Sequence, residues 1–223
     1  MGSVISRCAT ADEIIRDVAT TLARARSMGG VWQGHAEARL LPVLVLGEHL
    51  ADELAVARAA LAPRVEARLA AESIAEAEIA RIMDEIWACI GRPAYDPTLS
   101  IVFPGGVAHY TEAGADALPL RMCLLAKLLE QAVVPRLDPD KARTLAAHIR
   151  QVTAPLRQAI DALALPRTRV EHLERERAAL ADVAQMELVH LKRLYLTEGF
   201  AEADVHQVIP HHRPRKRTPA PAT

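Results

Sequence analysis

The chain has 223 residues, 51% of them hydrophobic, with two Phe, two Trp and three Tyr and a formal net charge of −1. That balance gives no field to steer nucleic acid or an acidic substrate to the surface as a whole, and no uncharged apolar run is long enough to span a bilayer. The three cysteines, Cys8, Cys89 and Cys123, are odd in number and widely spaced, which argues against a cysteine metal motif and for a reducing, cytoplasmic setting.

The pattern predicts an all-α fold: a bundle of about six helices in long antiparallel hairpins, coiled-coil-like in character. One helical domain is expected over 1–208, interrupted by an irregular loop at 92–116 and followed by an extended tail at 209–223. Alanine supplies much of the apolar content, and alanine-rich faces let helices approach closely.

The first helix is expected over 11–27. Thr10 and Glu13 form a capping box in which each side chain serves a backbone N–H of the first turn. Ile14, Ile15, Val18 and Leu22 face inward, and Met28-Gly29-Gly30 ends the helix. Residues 31–34 read as a short connection, with Trp32 an anchor on the bundle. The second helix carries the stripe Val43, Leu46, Leu50, Leu54, Ala57 and Leu61. His49 and Glu53, four apart on its flank, suit either a metal or a hydrogen-bonded surface pair. Pro63 is expected to kink the chain or to separate this helix from a third, which runs to about 90. There Val65, Leu69, Ile79, Ile82, Met83, Ile86 and Ile90 point inward, Cys89 reads as buried filler, and Glu72 and Glu76 fall where leucines belong.

Residues 92–116 hold Pro93, Pro97, Pro104, Gly105, Gly106 and Gly114. A loop this long inside a compact domain is uncommon and usually functional or disordered. Tyr95, Phe103 and Tyr110 concentrate scarce aromatic content there, which argues for order. Residues 100–103 are expected to be extended, and Phe103-Pro104-Gly105-Gly106 to turn. The two glycines make no phosphate loop, because no Gly-Lys-Ser/Thr follows. The segment reads as a structural cap or as an interaction loop built on Tyr95, Phe103, Pro104, Gly105, Gly106 and Tyr110.

A fourth helix is expected over about 117–134, apolar over a wide arc. Asp138-Pro139 then supplies an N-cap followed by proline in the first turn. The fifth helix carries Leu145, Ile149, Val152, Leu156 and Ile160, with a kink at Pro155. Leu165-Pro166 is expected to link it tightly to a sixth helix over 167–200, which would make the two antiparallel neighbours. On this last helix Val170, Leu173, Leu180, Ala184, Leu188 and Leu191 share one face. Arg169, Arg175, Asp182 and Lys192 lie opposite, and Gly199 closes it. Arg177 and Glu187 break the pattern by falling inside the apolar arc. A last turn is expected around 201–208.

Three functions fit. The first is a structural or protein-interaction bundle that self-associates or docks a protein partner. It needs no cofactor, and none is expected. The alternative is a carboxylate–histidine metal enzyme of the di-iron or redox type. Its ligands would be Glu72, Glu76, Glu187 and His190, because Glu187-Leu-Val-His190 has the Glu-x-x-His spacing that projects two ligands into a bundle. A full site needs two such pairs, and the chain offers one. The third is weak, salt-sensitive nucleic-acid association through Arg213, Arg215, Lys216 and Arg217 of the tail. No recognisable nucleophile motif points to hydrolysis.

Overall fold

The computed structural model describes residues 9–114 and 116–210. Among these residues there are seven α-helices and no strand: α1 (Ala11–Met28), α2 (Gly30–Cys89), α3 (Pro97–Val102), α4 (Ala108–Thr111), α5 (Leu118–Glu130), α6 (Pro139–Thr197) and α7 (Glu202–Val208). The all-α reading therefore stands. The chain divides into two compact units, Met1–Ala57 with Arg169–Thr223, and Arg58–Thr168.

The first unit is built on α1, residues 30–57 of α2, residues 169–197 of α6, and α7. The capping box at Thr10 and Glu13 is present, with both reciprocal bonds made. The turn after α1 is tighter than expected. Gly29 and Gly30 take positive φ, 70° and 54°, and α2 starts at once, so the predicted connection at 31–34 is already helical. Trp32 is the anchor the sequence promised. Its ring lies 4.3 Å from that of Tyr195 and 4.2 Å from that of Phe200, and the Tyr195 hydroxyl donates to the Trp32 carbonyl at 2.6 Å. Gly47 lets α1 and α6 close in: a Cβ there would meet Ile15 at 3.4 Å and Leu180 at 3.6 Å. The packed core runs one residue beyond the expected tail boundary, because Ile209 is 1% exposed.

The second unit joins residues 58–89 of α2 and 139–168 of α6 to α3, α4 and α5. Its core stacks Ile79, Ile82 and Ile86 against Met122, Leu125 and Leu129 of α5 and Leu145 and Ile149 of α6. Asp138 caps α6 as expected, accepting from the Asp140 and Lys141 N–H groups at 3.0 Å each. Residues 58–74 and 157–168 include no buried side chain. Leu46, Leu61, Val65 and Leu69 were expected inward; Leu46 and Leu69 are exposed and the other two half-buried.

The predicted break at Pro166 does not occur, and at Pro63, where a kink or a separation was expected, the helix is not separated. Helix α2 runs through Pro63 and helix α6 through Pro155 and Pro166, so the hairpin expected at Leu165-Pro166 is absent. Proline removes the bond from its own N–H to the carbonyl four residues back. Pro63 and Pro155 are exposed, where water reaches the freed carbonyl and the helix can curve. At Pro166 the freed carbonyl is that of Ala162, and the Arg64 guanidinium donates to it at 3.0 Å. A side chain across the helix pair replaces the missing donor.

Candidate interaction surface

The loop expected at 92–116 contains two short helices, and residues 100–102 continue α3 rather than extending, with Phe103 as its C-cap. Helix α2 first ends in a tight reversal. Gly91 takes φ 88° and Arg92 φ 50°, the Arg92 N–H bonds the Trp87 carbonyl at 2.9 Å, and the Gly91 N–H bonds that of Ala88 at 3.1 Å. This satisfies carbonyls the helix end would leave without donors. Asp96 then starts α3, accepting from the N–H groups of Thr98 at 2.9 Å and Leu99 at 3.1 Å. Its carboxyl is held below the usual range, first by the Thr98 hydroxyl, then by the Leu99 amide, with Arg136 adding to the effect.

Helix α3 thus lies beside the last turns of α2 and leaves a groove of about 400 Å³ between them, lined by Met83, Trp87, Tyr95, Leu99, Phe103 and the Gly105-Gly106 turn. Gly105 and Gly106 have φ of 81° and 76°, and the Gly106 N–H returns to the Phe103 carbonyl at 3.0 Å. Only glycine takes that pair of conformations without strain. The Trp87 indole N–H donates to the Pro93 carbonyl at 3.1 Å, and the Arg92 guanidinium lies 5.3 Å from the centre of its ring. These contacts hold the indole, which is 36% exposed.

Of the residues expected in an interaction loop, Tyr95, Phe103, Gly105 and Gly106 meet at this groove. Pro104 is exposed beside it. Tyr110 belongs to the core: its ring lies edge-on to Phe103 at 5.4 Å, and its hydroxyl donates to the Val102 carbonyl at 2.7 Å. Burial pushes its ionisation up to about 12. Sequence reasoning missed Trp87 and Met83 as lining. The signal for Trp87 was there, since Ile79, Ile82, Ile86 and Ile90 define the buried stripe and residue 87 stands about 100° off it. Cys89, expected to be buried filler, is exposed for a similar reason.

Of the misplaced charges, Glu187, Arg177 and Glu72 are held in ion pairs. Glu187 accepts from Arg39 of α2 at 2.9 Å, with His190 Nδ1 3.9 Å from its other oxygen. Arg177 pairs with Asp12 of α1. Glu72 lies 3.6 Å from Arg68, one turn back on its own helix, and Glu76 is half-buried. Glu53 pairs with Arg169 at 2.6 Å, and His49 is exposed. The proposed ligands fall in different units, Glu72 and Glu76 in one and Glu187 and His190 in the other. Among the described residues no three His, Cys, Asp or Glu side chains gather so as to hold a metal ion.

Lys192 departs from its expected place on the charged face. It is 8% exposed, and its ammonium lies 3.1 Å from Glu202 Oε1 and 3.5 Å from His206 Nε2, which ties α7 to α6. The tail residues Arg213, Arg215, Lys216 and Arg217 lie outside the described residues. No described helix is long and apolar enough to cross a membrane. No protein-family model, curated protein or solved structure matches this chain.

Proposed function

We propose that this protein is a self-associating protein-interaction module, and that the groove between α2 and α3 receives an extended, proline-bearing segment of a partner. One observation carries the groove reading. The chain has seven large aromatic residues, of which Trp32, Phe103, Tyr110 and Tyr195 are buried and Phe200 is partly buried. The two left exposed, Trp87 at 36% and Tyr95 at 76%, line the same groove. A fold short of aromatic surface that leaves both exposed rings lining one groove has the makings of an interface hot spot. The groove's volume of about 400 Å³ lies at the small end of the range of ligand pockets.

Proline-rich segments dock on aromatic-lined grooves because the polyproline helix is already extended and loses little entropy on binding. The charges around the groove also favour an uncharged occupant. Arg92 stands 3.7 Å from Asp84 and Arg136 3.8 Å from Asp96, so each rim arginine is neutralised by a carboxylate of the same unit.

Selection from a displayed random-peptide library on the full-length protein tests this reading. Enriched peptides should carry proline in an extended motif, and their binding should weaken ~10-fold or more on Trp87→Ala or Tyr95→Ala, the range of one interface hot spot. Enrichment that is the same on both variants, or none above background, overturns it.

A further inference from the structure

The self-association just proposed has no surface assigned to it, and helix α2 supplies one. In the first unit α2 buries Trp32, Ala36, Leu40, Val43, Leu50 and Leu54. On the opposite side Val31, Gly34, Ala38, Leu41 and Val45 are all exposed. Their spacing alternates three and four residues, which keeps them on one narrow face. Pro42 and Leu46 lie exposed along its edge. Only two charged residues occur in 30–47, Glu37 and Arg39, and both are turned aside into ion pairs with Arg26 and Glu187. Charge returns to the outer side at Glu48 and Asp52. A helix segment apolar on both sides is usually covered on both.

We infer that this outer face of α2 packs against the same face of a second copy, antiparallel about a two-fold axis near Ala38. The inference rests on the proposed self-association and names its surface. Size favours this arrangement. The N-terminal half of the stripe is small, with Gly34 and Ala38, and the C-terminal half is large, with Leu41 and Val45. Antiparallel pairing sets Leu41 of each copy over the opening at Gly34 of the other, where a Cβ built on Gly34 meets nothing within 4 Å. Parallel pairing would set glycine against glycine and leave a gap.

Charge agrees. The first turn of α2 has no acidic residue to offset the positive end of its helix dipole. In the antiparallel pair, exposed Glu48 of one copy comes level with the start of α2 in the other, the place where a carboxylate stabilises a helix end. The two-fold axis makes each of these contacts twice. The stripe spans roughly 21 Å at 1.5 Å per residue. That is shorter than a standard interface of about 800 Å² per partner requires, so the dimer should be concentration-dependent.

Sedimentation velocity of the full-length protein over a range of concentrations tests the inference, with Gly34→Gln, Leu41→Lys and Ala38→Cys alongside. The wild type should move from monomer to dimer. Gly34→Gln and Leu41→Lys should raise the dimer dissociation constant ~10-fold or more, the effect of about one lost close contact, without lowering thermal stability. Gly34→Gln in particular replaces a helix-interior glycine with a better helix former in open space. Mild oxidation should cross-link Ala38→Cys, which lies at the axis, well above wild type and well above Val45→Cys. A wild type that stays monomeric throughout overturns self-association itself. A dimer indifferent to both Gly34→Gln and Leu41→Lys leaves self-association standing and overturns this surface, and equal cross-linking at 38 and 45 overturns the antiparallel arrangement.

Discussion

Replacing Arg64 tests how α6 stays helical through Pro166. Helix-interior proline is about 3 kcal/mol less favourable than alanine, partly because one carbonyl loses its donor. Here that carbonyl is Ala162's, and Arg64 reaches it at 3.0 Å from α2. A hydrogen bond from a charged donor contributes about 1.5–3 kcal/mol when shielded. This one is exposed, so water competes and about 1 kcal/mol is the reasonable expectation. Arg64→Met keeps the aliphatic stem on the helix surface and should cost that amount. Pro166→Ala should stabilise by about 1–3 kcal/mol and restore an N–H at 166 that takes the Ala162 carbonyl. In that background Arg64→Met should cost almost nothing. The double-mutant cycle, read by urea denaturation with far-UV circular dichroism, should therefore give a coupling of about 1 kcal/mol. Independent sites add to within about 0.3–0.5 kcal/mol, and additivity of that quality would refute the proposal that Arg64 caps the proline-freed carbonyl.

Three other predictions follow from named groups. Glu37, Glu78, Glu85, Glu130 and Glu202 are held below the usual carboxylate range, chiefly by hydrogen bonds from Arg26, His148, Lys141, Arg150 and Lys192 respectively. Depressed carboxylates contribute stability that is present above their unfolded pKa and lost as pH falls through the folded one. The urea midpoint should therefore drop as pH is lowered through and below about 4, and Glu78→Gln should flatten that drop. At the other extreme, burial pushes the Tyr110 and Tyr195 hydroxyls up to about 12, whereas an unfolded tyrosine ionises near about 10. Stability should therefore fall as pH rises from about 10 towards 12, because the unfolded chain releases those protons first; Tyr110→Phe should weaken the fall, and an unchanged alkaline profile in both Tyr→Phe variants would count against this. Finally, truncation after Val208 should be less stable than truncation after Pro210 by roughly 2 kcal/mol, the burial of one isoleucine side chain, since Ile209 packs in the first core; equal melting temperatures would show that Ile209 is not held there.

Much of the fold was legible because it depends on periodicity. The isoleucine stripe from Ile79 to Ile90, the capping box at Thr10 and the Asp138 cap all appear where the sequence places them. Proline misled. Pro166 reads as a break, because the sequence does not show that an arginine from the opposite helix will serve the carbonyl it frees. Lys192 misled for a related reason: its place among solvent-facing charges changes once Glu202 and His206 of α7 fold back over it. At the candidate surface, the aromatic loop was identified but only half placed. Tyr110 turned inward because its hydroxyl found the Val102 carbonyl, and Trp87 turned outward because the isoleucine stripe occupied the inner face.

The most direct test of the groove is a titration of the full-length protein with a synthetic polyproline decapeptide, followed through the Trp87 indole and backbone amide resonances. Perturbations confined to Trp87, Tyr95, Leu99, Ser100 and the Gly105-Gly106 turn, and abolished by Tyr95→Ala, are the predicted result. Shifts that are absent at millimolar peptide, or scattered over α1 and α7 with the groove unchanged, would contradict the claim that this is the partner-binding surface.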